Sequence, residues 1–236
     1  STPLEIWQGA STVNKSIEEY LLELKEAGLG TLPGTAAEIL DDRIRKFLCD
    51  DKITSSQWGY VMEVAHSLGI KSTATIMFGH IDDLESWVNH FELLKKIQLK
   101  TSGFTEVVPL PFVHMGSPIF LQGNSMPGPT WDEIVLMHSL ARIYFYNTID
   151  NIQASWVKLG HDGAKVLLNS GVNDLGGTLI NENISRASGA NHGQETTATE
   201  FINLIKDAGK IPYLRNTLYT SFKNLEGVST QNVIKI

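Results

Sequence analysis

Ser72-Thr73-Ala74-Thr75-Ile76-Met77-Phe78-Gly79-His80-Ile81-Asp82 is a β-rich run that stops at a glycine and meets an acidic residue three positions later. β-Branched and apolar side chains suit a pleated, buried strand, and glycine permits the sharp backbone change that ends one. What flanks this run decides the fold. Residues 56–68 have helical apolar spacing and stop at Gly69, and a helix over 82–97 precedes a second strand at 104–110. A strand, a helix of a dozen residues and another strand require a crossover connection, and crossovers join parallel strands.

The same alternation extends in both directions. Ile17, Leu21 and Leu24 predict a helix over 16–27 that ends at Gly28, before a short strand at 29–32. Thr130 with Glu133 forms a capping box ahead of Ile134, Met137, Leu140 and Ile143. A strand at 151–157, a short helix at 164–168 and a strand at 174–179 follow, and Thr197 with Glu200 caps a last amphipathic helix. Five β-then-α units place the chain in the α/β class. Each strand ends in a polar or Gly/Pro-rich loop (33–35, 79–82, 109–117, 156–160 and 176–185), the arrangement in which barrel enzymes keep their chemistry. A (β/α) barrel portion is expected over 1–219, with 220–236 as a peripheral tail.

The 236 residues are 42% hydrophobic and 19% charged, enough to bury a core. A net charge of -7 leaves no basic footprint for nucleic acid. No apolar run reaches the roughly 18 to 20 residues that a membrane-spanning helix needs, so no membrane partner is expected. Cys49 is the only cysteine and reads as a half-buried helix residue; it allows no internal disulfide and no Cys-only metal site. The chain starts at Ser1 with no signal-peptide layout, and its natural N-terminus is expected upstream.

Five segments carry candidate chemistry. In Leu32-Pro33-Gly34-Thr35-Ala36-Ala37-Glu38 a Pro-Gly turn leads into a predicted helix with Glu38 in its first turn, whose N–H groups suit a polar or anionic ligand group. A plain structural turn, with Glu38 complementing the helix dipole, explains it too. Gly79 permits close approach of a flat ring; alternatively Asp82 simply caps the next helix. The prolines of 109–118 stiffen a loop whose His114 faces a substrate or solvent, and the seven histidines show no HExxH spacing. Strand alternation places Gln153, Ser155 and Val157 on one face, fit for a polar ligand or for a hydrogen-bonded core layer. Asn173 and Asp174 precede Gly176-Gly177, and Glu182, Ser185, Arg186, Asn191 and His192 continue the polar run, either as a site or as a surface loop.

Taken in order, LPGTAAEIL, STATIMFGH, FTEVVPLPFVHMGSP, NIQASWVKLG and NDLGGTLINENISRASGANHG resemble the tyrosine-using subunit of FO (deazaflavin) synthase, alone or as the C-terminal half of the fused enzyme. The resemblance covers about Leu4 to Tyr219. It implies a radical S-adenosylmethionine barrel whose CxxxCxxC loop binds a four-iron four-sulfur cluster. No such triplet occurs here, so the first three strands and the cluster loop are expected upstream of Ser1. The implied reaction uses a deoxyadenosyl radical to fragment L-tyrosine and delivers a hydroxybenzyl unit to 5-amino-6-(D-ribitylamino)uracil, after which a ring-closing partner subunit or domain forms FO.

By position, the resemblance puts Glu38 near the ribose or methionine of S-adenosylmethionine and Met77 and Gly79 beside its adenine. Asp82 stands where the family pattern has Glu. Gln153, Asn173 and Asp174 are implied to act on the substrates, and His114, Ser155, Glu182 and His192 to bind them. A futalosine-pathway menaquinone enzyme has related architecture, but PLPFVHMGSP favours FO synthase. A cluster-less binding subunit is the non-enzymatic alternative.

Overall fold

Six helix starts among the described residues share one chemistry. Thr2 with Glu5, Ser16 with Glu19, Thr54 with Gln57, Asp83 with Ser86, Thr130 with Glu133 and Thr197 with Glu200 each form a reciprocal capping box. Each box satisfies backbone donors that the first helical turn leaves without partners. The computed structural model describes residues 1–178 and 195–227.

The helices are α1 (Pro3–Thr12), α2 (Ile17–Glu26), α3 (Asp42–Leu48), α4 (Ser55–Ser67), α5 (Leu84–Thr101), α6 (Pro118–Leu121), α7 (Trp131–Tyr144), α8 (Trp156–Leu167) and α9 (Ala198–Asp207). Strands β1 (Thr31–Leu32), β2 (Lys71–Phe78) and β3 (Phe104–Pro111) form one parallel sheet in that order. Thr31 lies beside Lys71, Met77 beside Leu110 and Phe78 beside Pro111. Two parallel bridges, Val107 with Ile152 and Gln153 with Asp174, continue the order past β3. Strands β4 (Tyr213–Arg215) and β5 (Phe222–Asn224) form a separate antiparallel hairpin. The chain is therefore a mixed α/β protein with a parallel sheet, as its alternating pattern predicts.

Alternation in the strands separates two environments. Ala74, Ile76, Phe78 and Val107 join the main core with Trp58, Trp87, Phe91 and Phe145 from the covering helices. A smaller core, with Ile6, Leu21, Leu32 and Val61, ties α1 and α2 to α4. The opposite face of the sheet carries Thr73, Thr75, Met77 and Glu106.

Five expectations about elements and boundaries need correction. The strand predicted at 151–157 is reduced to bridges at Ile152 and Gln153, because Ser155 becomes the N-cap of α8 and Trp156 opens that helix. The short helix predicted at 164–168 is the second half of α8, which kinks at Gly160 (φ 69). Glu38 lies outside any helix: α3 begins at Asp42, with Asp41 as its N-cap. Asp83 rather than Asp82 caps α5. The proposed boundary after Tyr219 falls inside the β4–β5 hairpin, since Leu214 pairs with Lys223.

Candidate active site

The face of the sheet turned away from the main core is polar and stepped. Met77 lies level with Leu110, and Thr75 with Val108. The bridge pairs carry the steps onward to Gln153 and Asp174. Side chains of this face thus come from successive parallel segments, whose C-terminal ends lie along one edge of the sheet.

At that end sits a cavity of about 760 Å³, whose lining includes Glu38, Cys49, Lys52, Met77, Phe112 and Ser117. Its volume is within the roughly 300–1,000 Å³ typical of small-molecule sites. The loop over 33–40 forms one wall and is tied to β2 along its length. Gly34 donates to Thr73 Oγ1 at 2.7 Å, Thr75 Oγ1 donates to the Gly34 carbonyl at 2.6 Å, and Met77 N donates to the Glu38 carbonyl at 2.7 Å. A Cβ on Gly34 would stand 2.3 Å from the Thr73 carbonyl oxygen, so only glycine allows this approach.

Ala36 (φ 60) and Glu38 (φ 43) occupy left-handed conformations that cost non-glycine residues energy. Arg45, only 3% exposed, offsets that strain by donating to the carbonyls of Ala37, Ile39 and Ile53. The Glu38 carboxylate, paired with Lys52, is thereby held at the cavity wall. The charged Glu38–Lys52 pair beside an apolar Met77 and Phe112 surface gives the cavity one polar and one apolar side, compatible with a nucleoside-like ligand. The same wall does not fit an iron–sulfur cluster. Cys49 is the sole thiol, burial pushes its pKa up, and a cluster needs several thiolates. Among the described residues no group of three His, Cys, Asp or Glu could hold a metal ion.

Gly79 and Asp82 do not join this cavity. Gly79 (φ 87) packs against Pro129, where an added Cβ would meet Pro129 Cδ at 2.3 Å, so the close neighbour on that side is a proline. Asp82 accepts from Gly79 N (2.8 Å), His80 N (2.7 Å) and Trp87 Nε1 (2.5 Å), which leaves its carboxylate fully engaged in the turn. His80 is buried and accepts from Ile81 N at Nδ1, so its proton sits on Nε2, facing the Met77 carbonyl at 3.0 Å. His114 packs its ring on Phe120, centroids 4.4 Å apart, and does not line the cavity.

Asn173 and Asp174 are neighbours with opposite duties. Asn173 Oδ1 accepts from Ile152 N (2.9 Å) and Arg142 (2.6 Å), and its amide donates to the Asp150 carbonyl (3.2 Å). These bonds tie Asn173 to the segment before it. Asp174 points to the polar face, where it accepts from Gly176 N (2.6 Å) and twice from Arg215 (2.5 and 2.9 Å). The Gln153 amide lies against Gly176, and neither it nor the Ser155 hydroxyl has a hydrogen-bond partner among the described residues. Glu182 and His192 lie outside the described residues.

Sequence reasoning missed three members of this face: Glu106, Arg215 and Tyr219. Tyr219 donates to Glu106 Oε2 at 2.5 Å, Arg215 approaches the same oxygen at 3.7 Å, and the guanidinium lies 4.1 Å from the Tyr219 ring centroid. Burial, together with the nearby Asp174 charge, raises the Glu106 pKa; Tyr219 and Arg215 oppose that shift. Burial works against the Arg215 charge, but the Asp174 hydrogen bonds outweigh it and push its pKa up. A glutamate alone in an apolar strand was the available signal. Nothing local marks Arg215 or Tyr219, because a hairpin more than 100 residues away brings them in.

A parallel α/β sheet with one polar face and a cavity at the C-terminal ends of its strands defines a class, the α/β proteins that bind small molecules at that rim. The particular family is set by comparison: the family described as CofH/MqnC C-terminal region matches residues 101–227, and the chain belongs to it. Over 224 residues it is 48% identical to the 5-amino-6-(D-ribitylamino)uracil--L-tyrosine 4-hydroxyphenyl transferase of Methanothermobacter thermautotrophicus, covering 95% of this chain and 61% of that protein. The identically named Methanocaldococcus jannaschii protein is 49% identical over 218 residues, 92% of this chain and 61% of its own length. The FO synthase of Nocardia farcinica is 49% identical over 92% of this chain, which corresponds to 25% of that protein. The chain thus spans about 61% of the length of the separate transferases it matches.

Proposed function

We propose that this chain contributes to a radical S-adenosylmethionine transferase that joins a hydroxybenzyl unit from L-tyrosine to 5-amino-6-(D-ribitylamino)uracil in FO synthesis. The observation that carries the reading is 48% identity, sustained over 95% of the chain, to a protein named for that transfer. In this reading the sheet and its two continuing bridges are a sector of a (β/α) barrel, and the FO synthase matches point to a ring-closing partner, fused or separate. Ligands of the four-iron four-sulfur cluster are assigned to no residue of this chain.

Glu38 and Met77 would hold S-adenosylmethionine in the cavity, with Lys52 neutralising the carboxylate when the cavity is empty. That cofactor, when bound and reduced, supplies a carbon radical able to abstract hydrogen. The chain's own residues do the rest of the work. The 33–40 loop orients the ligand against β2, and Phe112 with the loop that follows screens it from water. Gln153 and Ser155 present an amide and a hydroxyl of the kind that reads the N–H and C=O edges of a uracil. Asp174, fixed by Arg215, supplies a carboxylate beside them. No residue of the 109–118 loop other than Phe112 and those lining the cavity is given a role.

The test is anaerobic incubation of the full-length protein with S-adenosylmethionine, a reductant, L-tyrosine and the ribitylaminouracil, with chromatography of deoxyadenosine and the coupled product. Coupled product is expected. Deoxyadenosine without any tyrosine-dependent product would refute the assigned substrates. Independently of turnover, Glu38→Gln is expected to weaken S-adenosylmethionine binding at least tenfold in calorimetry.

A further inference from the structure

One ring on the polar face of the sheet comes from outside the sheet. Tyr219, in the turn between β4 and β5, places its hydroxyl 2.5 Å from Oε2 of Glu106, a residue 6% exposed on β3. Above the ring lies the Arg215 guanidinium, 4.1 Å from its centroid. A buried carboxyl in line with a hydroxyl and a cation over the π-face together recognise a phenol and little else.

The backbone that delivers this phenol is strained. Tyr219 sits at φ 57, the left-handed region that a bulky residue avoids unless its surroundings impose it. Its strands are three residues each, and a short two-stranded hairpin is marginal by itself. The turn is also closed on itself: Asn216 Oδ1 accepts from Thr220 N at 2.9 Å, and Asn216 Nδ2 donates to Thr220 Oγ1 at 2.8 Å. These bonds are internal to the turn, so none of them breaks if it moves. Arg215 cannot follow, because two hydrogen bonds pin it to Asp174.

We propose that Glu106 and Arg215 form a phenol-binding subsite that the chain's own Tyr219 occupies, and that a para-substituted phenol enters by displacing the turn over 216–221. The subsite stands on geometry alone; only the identity of its natural ligand, the side chain of L-tyrosine, rests on the transferase reading above. In that reading Tyr219 is a built-in competitor for substrate, and its strain keeps the competition weak enough to be overcome.

The experiment empties the subsite and refills it. In the full-length protein, Tyr219→Ala is expected to gain several degrees of thermal midpoint from millimolar p-cresol, by mass action, while wild type gains little and toluene, lacking the hydroxyl, does much less. Equal stabilisation by toluene, or of the wild type, would overturn the proposal. Should Tyr219→Ala fail to fold, Tyr219→Phe answers the same question: with its hydroxyl bond to Glu106 gone, the internal ring competes less well, and L-tyrosine is expected to bind at least threefold tighter than to wild type. Unchanged or weaker binding there counts against self-occupancy. Rescue by p-cresol with no L-tyrosine binding in any variant upholds the phenol subsite and removes the transferase assignment instead.

Discussion

Tyr219 and Glu106, 113 residues apart in sequence, share a hydrogen bond of 2.5 Å that fastens the C-terminal hairpin to the third strand of the sheet. Among the described residues, removing the hydroxyl leaves Glu106 with the more distant Arg215, at 3.7 Å. Tyr219→Phe is therefore expected to lower the unfolding free energy by about 1–2 kcal/mol. Urea titration should show a lower midpoint with an unchanged slope. An unmoved midpoint would mean that water replaces the bond without loss.

Three buried imidazoles make the fold sensitive to acid. Burial pushes His66 down to about 4, helped by Lys71, although the ring bridges Thr101 and Ser72 at 2.8 Å each. Burial likewise takes His90 down to about 3, with Arg45 adding to the effect, and His138 to about 4. A folded-state pKa below the unfolded value of about 6.5 means that stability is full above that pH and is lost as pH falls toward the folded values. Each group contributes a slope of up to about 1.4 kcal/mol per pH unit. Urea midpoints at pH 7, 5.5 and 4.5 are expected to fall steeply, and His66→Gln is expected to flatten the profile. A midpoint constant down to pH 4.5 would show that these rings stay neutral at no cost.

Gly34 tests the cavity wall. A Cβ there would meet the β2 backbone at 2.3 Å, and backbone cannot yield as a flexible side chain would. Gly34→Ala is expected to push the 33–40 loop off β2, break the Gly34 to Thr73 bond and weaken S-adenosylmethionine binding at least tenfold. Circular dichroism should remain near wild type, since the loop contributes little regular structure. Wild-type affinity would remove the loop from the binding site.

How far the sequence foretold these features depends on how local each one is. Capping boxes are contained in four residues, so Thr130 with Glu133 and Thr197 with Glu200 were legible and appear as read. Periodicity identified β2 and β3 and the parallel order. It misread 151–157, because alternation persists in burial there (Ile152, Ala154 and Trp156 are all buried) while the backbone has already turned into α8. Gly79 and Asp82 were legible as a turn, but Pro129, which claims the space beside Gly79, is set by tertiary packing. Glu38 stood out as a candidate through its motif, whereas its left-handed backbone and its Lys52 partner depend on a buried arginine that no short pattern predicts. Asp174 stood out as a candidate beside Gly176-Gly177, whereas its pairing with Arg215 depends on a hairpin remote in sequence.

That neutralisation changes what Asp174→Asn should do. An unpaired aspartate would lose only a contact to substrate. Here the carboxylate accepts two hydrogen bonds from Arg215 and one from Gly176 N, with side-chain exposures of 9% for Asp174 and 20% for Arg215. The asparagine retains one acceptor oxygen, so a half-buried guanidinium loses its bidentate partner, at a cost of about 1.5–3 kcal/mol. Arg215→Gln should cost a similar amount, and the double variant should cost less than the sum, because neither charge is then left without the other. A coupling energy of about 1 kcal/mol or more in that cycle is expected from urea titrations. In turnover assays of the full-length protein, Asp174→Asn is expected to reduce coupled product at least tenfold while cleavage of S-adenosylmethionine without substrate persists, since Glu38 and Met77 lie at the other end of the polar face. Loss of the uncoupled cleavage as well would place Asp174 in the cofactor site or reveal a collapsed sheet, and the urea cycle tells those two apart.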